Sequence, residues 1–190
     1  MDELVSWLAS DNGFVVHIAV FVLLVLGGLG FPIPEDIPLL LGGVAIQKGI
    51  APLNTMFLVC YLGVMVGDQM MFFIGHRFGQ RILDAGSKSA FFPSITEARI
   101  EEIREGLRKR RLFYIFIGRH LFPIRSATFI SAGALRIPFL EFLAADALAA
   151  LVSVSIMMSL GWWLGGKLTP EHIQVLAHEA NVVVTVVVGL

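Results

Sequence analysis

Apolar residues in this chain are gathered into long stretches that shorter polar segments separate. Two of them are long enough for a membrane-crossing helix, which needs about 20 apolar residues. A third is slightly short, and a fourth, at the C-terminal end, is weaker. The two long stretches cover residues 53–74 and 139–164, the short one 14–29 and the weak one 174–190. The pattern predicts an all-α membrane protein that crosses the bilayer several times.

Two further apolar stretches are interrupted by prolines and charges. Residues 31–50 begin with the run Phe-Pro-Ile-Pro-Glu-Asp-Ile-Pro, and residues 113–135 contain Arg119, Pro123 and Arg125. Proline inside a helix removes a hydrogen bond and clashes with the preceding turn, and charges at bilayer depth are costly. Irregular backbone is tolerated there only where protein covers it or where it lines a polar cavity. Both segments are therefore predicted to be re-entrant hairpins, each entering and leaving the membrane on one side.

The two hairpins share a short pattern. Phe31-Pro32-Ile33 is followed by Gly42 ten residues after its proline, and Phe122-Pro123-Ile124 is followed by Gly133 at the same spacing. One spanning helix lies between the hairpins, so they are expected to enter the membrane from opposite faces. Such an inverted repeat is typical of secondary transporters, whose binding sites lie where broken helices meet.

Basic residues are concentrated in the polar segment 76–111. Nine of the fourteen Lys and Arg residues lie between Arg77 and Arg111. Because cytoplasmic loops of membrane proteins carry an excess of Lys and Arg, this segment is predicted to be a cytoplasmic loop, with both chain termini on the same side. Ser94 and Glu97 have the spacing of a capping box, which predicts that a helix begins inside the loop.

The composition supports a membrane domain and limits the partners. Hydrophobic residues make up 56% of the 190 residues and charged residues 15%, with a mean hydropathy of +0.80. An ordinary soluble domain is about one quarter charged. The length suits a single membrane transporter domain over residues 1–190. The net charge of −1 indicates no nucleic-acid partner, and the only cysteine, Cys60, cannot form an internal disulfide.

Four charged residues on the two hairpins are the main candidates for function. Glu35 and Asp36 lie on the first hairpin, and Arg119 and Arg125 lie on the second. Buried charges need partners, so these side chains could pair only to hold the hairpins together. Alternatively, the two planar guanidinium groups bind a phosphate, while a carboxylate that is shielded from water takes up a proton.

Two more acids lie inside the long apolar stretches. Asp68 is either a partner for an arginine or a proton relay, and Asp146 is a similar acid that belongs to no recognisable motif. The chain has no His-Glu-x-x-His motif and no Gly-x-Ser-x-Gly motif. Its histidines have no companions at metal-ligand spacing. The sequence therefore predicts neither an enzyme nor a metal or other cofactor.

Together these segments resemble the DedA family of integral membrane proteins, which share a domain with eukaryotic lipid scramblases of the endoplasmic reticulum. The resemblance covers about residues 25–165. It rests on Phe31-Pro-Ile-Pro-Glu-Asp before Gly42-Gly43, on Gly67-Asp68 before Ile74-Gly75-His-Arg-Phe-Gly79, and on Gly118-Arg119, Pro123 and Arg125 before Ala132-Gly133.

The resemblance implies two facing re-entrant hairpins that transport a phospholipid or undecaprenyl phosphate across the bacterial inner membrane, linked to the proton motive force. Arg119 and Arg125 match the arginine pair of the family, Asp36 its acidic position after the prolines, and Asp68 its glycine-aspartate motif. Many members carry another acid just before the first proline motif. This chain has two glycines there, so Glu35 is a candidate to take over that role.

The predicted function is thus a flippase in which the lipid phosphate docks on Arg119 and Arg125. Protonation of Glu35 or Asp36 gates transport, and Asp68 is the next candidate for the proton. The expected partners are the phosphate headgroup, protons and the surrounding membrane lipids, and a homodimer is left open. The alternatives are an energy-independent phospholipid scramblase and a membrane scaffold that transports nothing.

Overall fold

The computed structural model describes residues 13–29, 34–85 and 97–167. Within these ranges every regular element is an α-helix, which confirms the predicted all-α class. In chain order the helices are α1, Gly13–Gly28; α2, Asp36–Gln47; α3, Leu53–Ala85; α4, Glu97–His120; α5, Phe122–Ala134; and α6, Phe139–Gly165. The Phe31-Pro32-Ile33 motif, the capping residue Ser94 and the weak span at 174–190 lie outside the described residues.

Helices α3 and α6 are the two described helices that are long and apolar enough to cross a membrane, over Leu53–Gly79 and Phe139–Gly165. Each carries a row of exposed, large apolar side chains. The rows are Leu58, Leu62, Val66, Met70 and Phe73 on α3, and Leu148, Val152, Ile156, Leu160 and Trp163 on α6. Contiguous apolar surface of this extent suits lipid better than water. Helix α3 also continues to Ala85, well past the predicted end at residue 74, because its hydrogen bonds extend into the polar sequence that follows.

Helices α2 and α5 are too short to cross a bilayer. At about 1.5 Å per residue, their 12 and 13 residues reach only about 20 Å, whereas the hydrocarbon core is about 30 Å thick. Proline lies close to the start of each: Pro38 in the first turn of α2 and Pro123 at the second position of α5. The first N–H groups of a helix have no intrahelical acceptor, so proline is tolerated there. The prolines that disfavour one continuous helix thus help to set where each short helix begins.

Helix α4 is bent at Arg110, whose φ of −142° and ψ of 58° lie outside the helical region. Gly106 before the bend packs on the ring of Tyr114 after it, and an added Cβ at Gly106 would lie 2.1 Å from that ring. Ile103 and Leu107, which precede the bend, are buried against the helix bundle. The helix predicted to begin inside the segment 76–111 is therefore present from Glu97, and its first part packs on the other helices.

Each short helix packs on a long helix from the other half of the chain. Helix α2 crosses α6 where Gly43 meets Gly161, and α5 crosses α3 where Gly133 meets Gly75. A Cβ on Gly43 would lie 2.2 Å from a backbone oxygen of the facing helix, and one on Gly133 would lie 2.1 Å from one. Small residues at such crossings let helix backbones approach closely, as they do in membrane-helix interfaces.

Two apolar cores lie along the bundle with a charged layer between them. The first includes Phe72, Phe129 and Phe142 from α3, α5 and α6. The second brings together side chains of α1, α2, α3 and α6, among them Leu24, Leu39, Met56 and Val154. Along α3, Met65 belongs to the second core and Met71 to the first. Asp68 lies between these two residues, at the level where the candidate site is found.

Candidate functional site

Five charged side chains meet in the layer between the two cores, and we refer to them as the charged cluster. Each comes from a different element: the residue before α2, then α3, α4, α5 and α6 in turn. The five are Glu35, Asp68, Arg119, Arg125 and Asp146, all of them buried. Because no two share a helix, the cluster forms only when the bundle assembles.

Asp68 joins the two arginines. Its Oδ2 accepts a hydrogen bond from Arg119 Nη1, and its Oδ1 accepts one from Arg125 Nη2 at 2.6 Å. Asp68 is completely buried, and a buried charge that loses its partner destabilises a protein strongly. Of the two roles that the sequence left open for Asp68, that of arginine partner is the one its contacts show.

Arg119 is held by α3 and α6 together. Besides Asp68, its Nη1 donates to Asp146 Oδ1 at 2.6 Å, and its Nε donates to Ser153 Oγ at 3.3 Å. The second carboxylate oxygen of Asp146, Oδ2, accepts a hydrogen bond from Gln69 Nε2 at 3.1 Å. These contacts fix the guanidinium of Arg119 on two of its three nitrogens.

Glu35 contacts both arginines in a different way. Its Oε2 lies 2.5 Å from Arg125 Nη1, and its Oε1 lies 3.7 Å from Arg119 Nη2. Neither Glu35 Oε2 nor Arg119 Nη2 makes a hydrogen bond to any part of the chain that the structure describes. Charge attraction, without well-aligned hydrogen bonds, therefore holds Glu35 beside the arginines.

Both short helices begin at the charged cluster. Glu35 is the residue immediately before α2, and Arg125 lies in the first turn of α5. The N-terminal end of a helix carries partial positive charge and N–H groups without intrahelical acceptors. The first N–H groups of both helices donate to nearby carbonyls, Ile37 to Pro34 and Ile124 to Leu121, so the helix starts contribute partial positive charge beside the two guanidinium groups rather than free donors.

The charges in the cluster do not balance. Three carboxylates face two guanidinium groups, so the cluster carries a net charge of −1 when every group is ionised. A net charge that is shielded from water is costly. One added proton would make the cluster neutral, and an external anion could replace one of the carboxylates.

The structure brings together four of the predicted site residues, Glu35, Asp68, Arg119 and Arg125. Asp36, the fifth, is half-buried in the first turn of α2 and makes no ion pair with any residue of the described ranges. Its neighbour Glu35 takes the position beside the arginines.

Asp146 was missing from the predicted site. An ionisable residue in an apolar span is a functional candidate by default, and that signal was present in the sequence. Its neighbours Ala144, Ala145 and Ala147 form no motif, and the sequence does not reveal that this face of α6 turns towards Arg119. Gln69 and Ser153 supply the remaining polar contacts of the site. Nothing in the sequence around them predicted that role.

Comparison with known proteins assigns the family. Residues 33–163 match the family model of the VTT domain. The chain belongs to the VTT-domain family of DedA proteins. This confirms the family that the sequence motifs predicted, and the match extends from the residue before Pro34 almost to the end of α6.

Relatives of this family are named as membrane proteins. An uncharacterized membrane protein of Haemophilus influenzae is 31% identical over 179 residues, which are 90% of this chain and 80% of the relative. An inner membrane protein of Borreliella burgdorferi is 29% identical over 149 residues, 78% of this chain and 69% of the relative. Undecaprenyl phosphate transporter A of Bacillus subtilis is 25% identical over 167 residues, 88% of this chain and 79% of the relative. No solved structure matches the chain. The protein is thus a membrane protein of the DedA family.

Proposed function

We propose that this protein is a flippase that moves a phosphate-bearing lipid across the bacterial inner membrane and couples that movement to protons. One observation carries the proposal: two arginines and three acids are buried together where two short helices begin. Arginine presents a planar fork of donors that suits phosphate. We assign Arg119 and Arg125 to the lipid phosphate, with the helix N-termini adding to the attraction.

The substrate in this proposal is undecaprenyl phosphate or a phospholipid. The Bacillus subtilis relative, 25% identical, is named for transport of the first. Both lipids combine a phosphate with long apolar chains. The exposed apolar rows on α3 and α6 would let those chains stay in the bilayer while the headgroup enters the cluster.

Proton coupling would follow from the charge balance of the cluster. An arriving phosphate adds negative charge to a group that already has one surplus carboxylate, so binding a proton would offset that charge. We assign the proton to Glu35, because the carboxylates of Asp68 and Asp146 already accept hydrogen bonds from the arginines. Asp36 is the second candidate because it adjoins Glu35.

We further infer that α2 and α5 are equivalent parts of an inverted repeat of two re-entrant hairpins. Their length and their exchanged packing on α6 and α3 support the inference. The crossing glycines support it too, since Gly75 and Gly161 each lie 22 residues after the first residue of their helix, Leu53 or Phe139. Such a repeat could open the cluster to either membrane face in turn. The basic segment 76–111 would lie in the cytoplasm.

Reconstitution into liposomes tests the proposal. A fluorescent phospholipid and a fluorescent derivative of undecaprenyl phosphate are placed in the inner leaflet, and their arrival outside is followed with a membrane-impermeant quencher. We expect the wild-type protein to move at least one of them, at a rate that an imposed pH gradient changes. The control variant Lys109→Ala alters a surface pair with Glu105 and should keep the wild-type rate. If the rate of lipid movement is the same with and without the pH gradient, the protein is instead an energy-independent scramblase.

The ion pairs within the cluster favour a second candidate function, that of a membrane scaffold. Each of the five charges has an opposite charge beside it, as a purely structural network requires. In that case the protein would move no lipid in liposomes. Arg125→Lys would then unfold at a lower temperature than the wild-type protein, and neither protein would move lipid.

A further inference from the structure

We propose that Glu35 occupies the place of the lipid phosphate between the two arginines, and that the arriving phosphate displaces it. This inference rests on the proposed transport of a phosphate-bearing lipid. It goes further by naming the contacts that the phosphate takes, the residue that must leave, and the parts of the cluster that stay in place.

The first observation is that the three acids are held unequally. Asp68 uses both carboxylate oxygens in hydrogen bonds to guanidinium groups, and Asp146 uses one oxygen on Arg119 and the other on Gln69. Glu35 has two ion contacts, at 2.5 and 3.7 Å, and its Oε2 makes no hydrogen bond to any described residue. Glu35 would give up one short and one longer ion contact on leaving, whereas Asp68 and Asp146 would each give up two hydrogen bonds, so we infer that Glu35 is the acid that is exchanged.

The second observation concerns the donors that Glu35 covers. Arg119 Nη2 is buried and has no hydrogen-bond partner among the described residues, and it faces Glu35 Oε1. Arg125 Nη1 faces Glu35 Oε2. Each guanidinium therefore directs one nitrogen to the same place. The other contacts of Arg125 go to Asp68, and those of Arg119 go to Asp68, Asp146 and Ser153. A tetrahedral phosphate can accept from both nitrogens through separate oxygens, which the Glu35 carboxylate does not achieve.

The third observation is the position of Glu35 in the backbone. It is the one member of the charged cluster that lies outside a helix, immediately before α2. The other four side chains leave from within α3, α4, α5 and α6. Glu35 is tied to a helix on one side only, through its carbonyl, which accepts the N–H of Leu39 at 3.3 Å. Its departure would therefore disturb no more than the first turn of α2, whereas Asp68 and Asp146 leave from the middle of long helices.

Displacement also accounts for the coupling to protons. The charged groups that act on Glu35 are Arg125, Arg119, Asp68 and Asp36, and Asp146 lies on the far side of Arg119. Once phosphate has taken the two arginines, Glu35 is left near other acids and away from its cations. It then takes up a proton from the medium, and it releases that proton when the lipid leaves and the carboxylate returns. One proton would bind for each lipid phosphate.

The test compares Glu35→Gln with Asp146→Asn, because each variant removes one carboxylate from the same cluster. Binding to the full-length protein in detergent is measured by native mass spectrometry with undecaprenyl phosphate and phosphatidic acid. Undecaprenol and diacylglycerol serve as probes without phosphate, and inorganic phosphate is added as a competitor. We expect Glu35→Gln to bind both phosphate lipids at least about tenfold more tightly than the wild-type protein and Asp146→Asn do, with no gain for the phosphate-free lipids.

Several outcomes overturn the inference. Equal gains in both variants would show a general effect of charge, and wild-type affinity in Glu35→Gln would show that nothing is displaced; either result leaves the transport proposal standing. Displacement of the lipids by inorganic phosphate at equal concentration would assign the site to free phosphate. If the wild-type protein neither binds nor moves phosphate lipids, the proposed function itself fails.

A second measurement does not depend on how the variant folds. Infrared difference spectra of the wild-type protein should show the band of a protonated carboxyl group when undecaprenyl phosphate is added. The band should be missing with undecaprenol, and it should be missing from Glu35→Gln wherever that variant can be purified. A wild-type spectrum without the band would contradict displacement of Glu35 with uptake of a proton.

Discussion

The two arginines of the charged cluster have different surroundings. Arg119 reaches Asp68, Asp146 and Ser153 and so joins α4 to two long helices. Arg125 pairs with Asp68 and Glu35, and its guanidinium lies 5.8 Å from the ring centre of Phe129. Arg119 therefore contributes more to holding the bundle together, and Arg125 is the freer of the two to meet a ligand.

Replacing each arginine with lysine should separate these roles. Arg125→Lys keeps the charge beside Asp68 but loses the planar fork. Since a hydrogen bond to a charged group contributes about 1.5–3 kcal/mol, lipid transport should fall by about tenfold or more while the amount of folded protein holds. Arg119→Lys should reduce both, because one ammonium cannot reach all the partners of Arg119. Transport rates in liposomes and thermal unfolding in detergent measure the two effects. Unchanged transport in Arg125→Lys would make this residue a structural counter-ion only.

The acids should differ in what they contribute to stability. Asp68→Asn leaves two buried arginines short of their shared carboxylate, and removing one partner of a buried pair costs about 3–5 kcal/mol. In Asp146→Asn the new amide oxygen can still accept from Arg119. The unpaired Oε1 of Gln69 can turn to accept from the new NH₂ group, so the loss should be about 1 kcal/mol.

Thermal unfolding of the two variants in the same detergent checks this difference. Asp68→Asn should unfold at a clearly lower temperature than Asp146→Asn. Equal shifts in the unfolding temperature would mean that the two carboxylates are interchangeable, against the distinct contacts described above.

At the scale of the helices, glycine crossings decide how closely the short helices approach the long ones. Gly43 and Gly161 bring α2 onto α6, and Gly133 and Gly75 bring α5 onto α3. These crossings position the N-terminal ends of the short helices, and with them Glu35 and the first turn of α5, beside Asp68. The close packing of backbones thus sets the distances inside the cluster.

Adding one methyl group at these crossings should loosen the bundle. Gly43→Ala would place a Cβ 2.2 Å from the backbone oxygen of Met158. Gly133→Ala would place one 2.1 Å from the backbone oxygen of Phe72. Overpacking of this kind costs about 1–3 kcal/mol. Gly42→Ala is the matched control, because its Cβ would meet the Cys60 side chain at 3.0 Å and that sulfur can shift.

Thermal unfolding should therefore rank Gly43→Ala and Gly133→Ala below the wild-type protein, with Gly42→Ala close to it. The crossing glycine of α2 is Gly43, one residue after the Gly42 that the sequence spacing matched to Gly133. An equal effect at Gly43 and Gly133 would agree with a repeat in which these two residues correspond. A larger loss in Gly42→Ala than in its neighbour would contradict the crossing geometry as the cause.

At the scale of the whole molecule, the basic residues and the apolar outer faces predict an orientation in the membrane. Helices α3 and α6 present apolar rows outward, and in the sequence most of the basic segment 76–111 follows the candidate span Leu53–Gly79. The turn that contains Lys48 joins α2 to the start of α3, at the other end of that span. The two regions should therefore face opposite sides of the membrane.

Cysteine labelling in intact cells checks this orientation. Lys48→Cys and Arg108→Cys both replace exposed side chains, and the native Cys60 is buried. A membrane-impermeant maleimide should label Lys48→Cys from outside and Arg108→Cys only after the membrane is opened. Labelling of both positions from one side would contradict the proposed topology and the proposed entry of the two hairpins from opposite faces.

Much of this architecture could be predicted from the sequence because it depends on local properties. Long apolar stretches predict membrane helices, prolines near residues 34 and 123 predict interruptions, and paired motifs identify the family. Helix ends were predicted less well: α3 continues to Ala85, since backbone hydrogen bonds do not require an apolar sequence. Pro34 and Arg125 belong to the two proline motifs on which the family resemblance rests, so the sequence already predicted that the site lies near them.

The sequence by itself determined the fold class, the family and the residue types at the candidate site. Only the tertiary structure decided which acid meets which arginine. The partners are far apart along the chain: Asp68 and Arg119 are 51 positions apart, Asp68 and Arg125 are 57, and Arg119 and Asp146 are 27. A buried charge can pair only with a group that packing brings within a few ångströms and shields from water. The rotation of each helix about its axis and the glycine crossings bring Glu35 and Asp146 into the cluster, while Asp36 stays outside it. Neither the helix rotation nor the crossings can be predicted from local sequence.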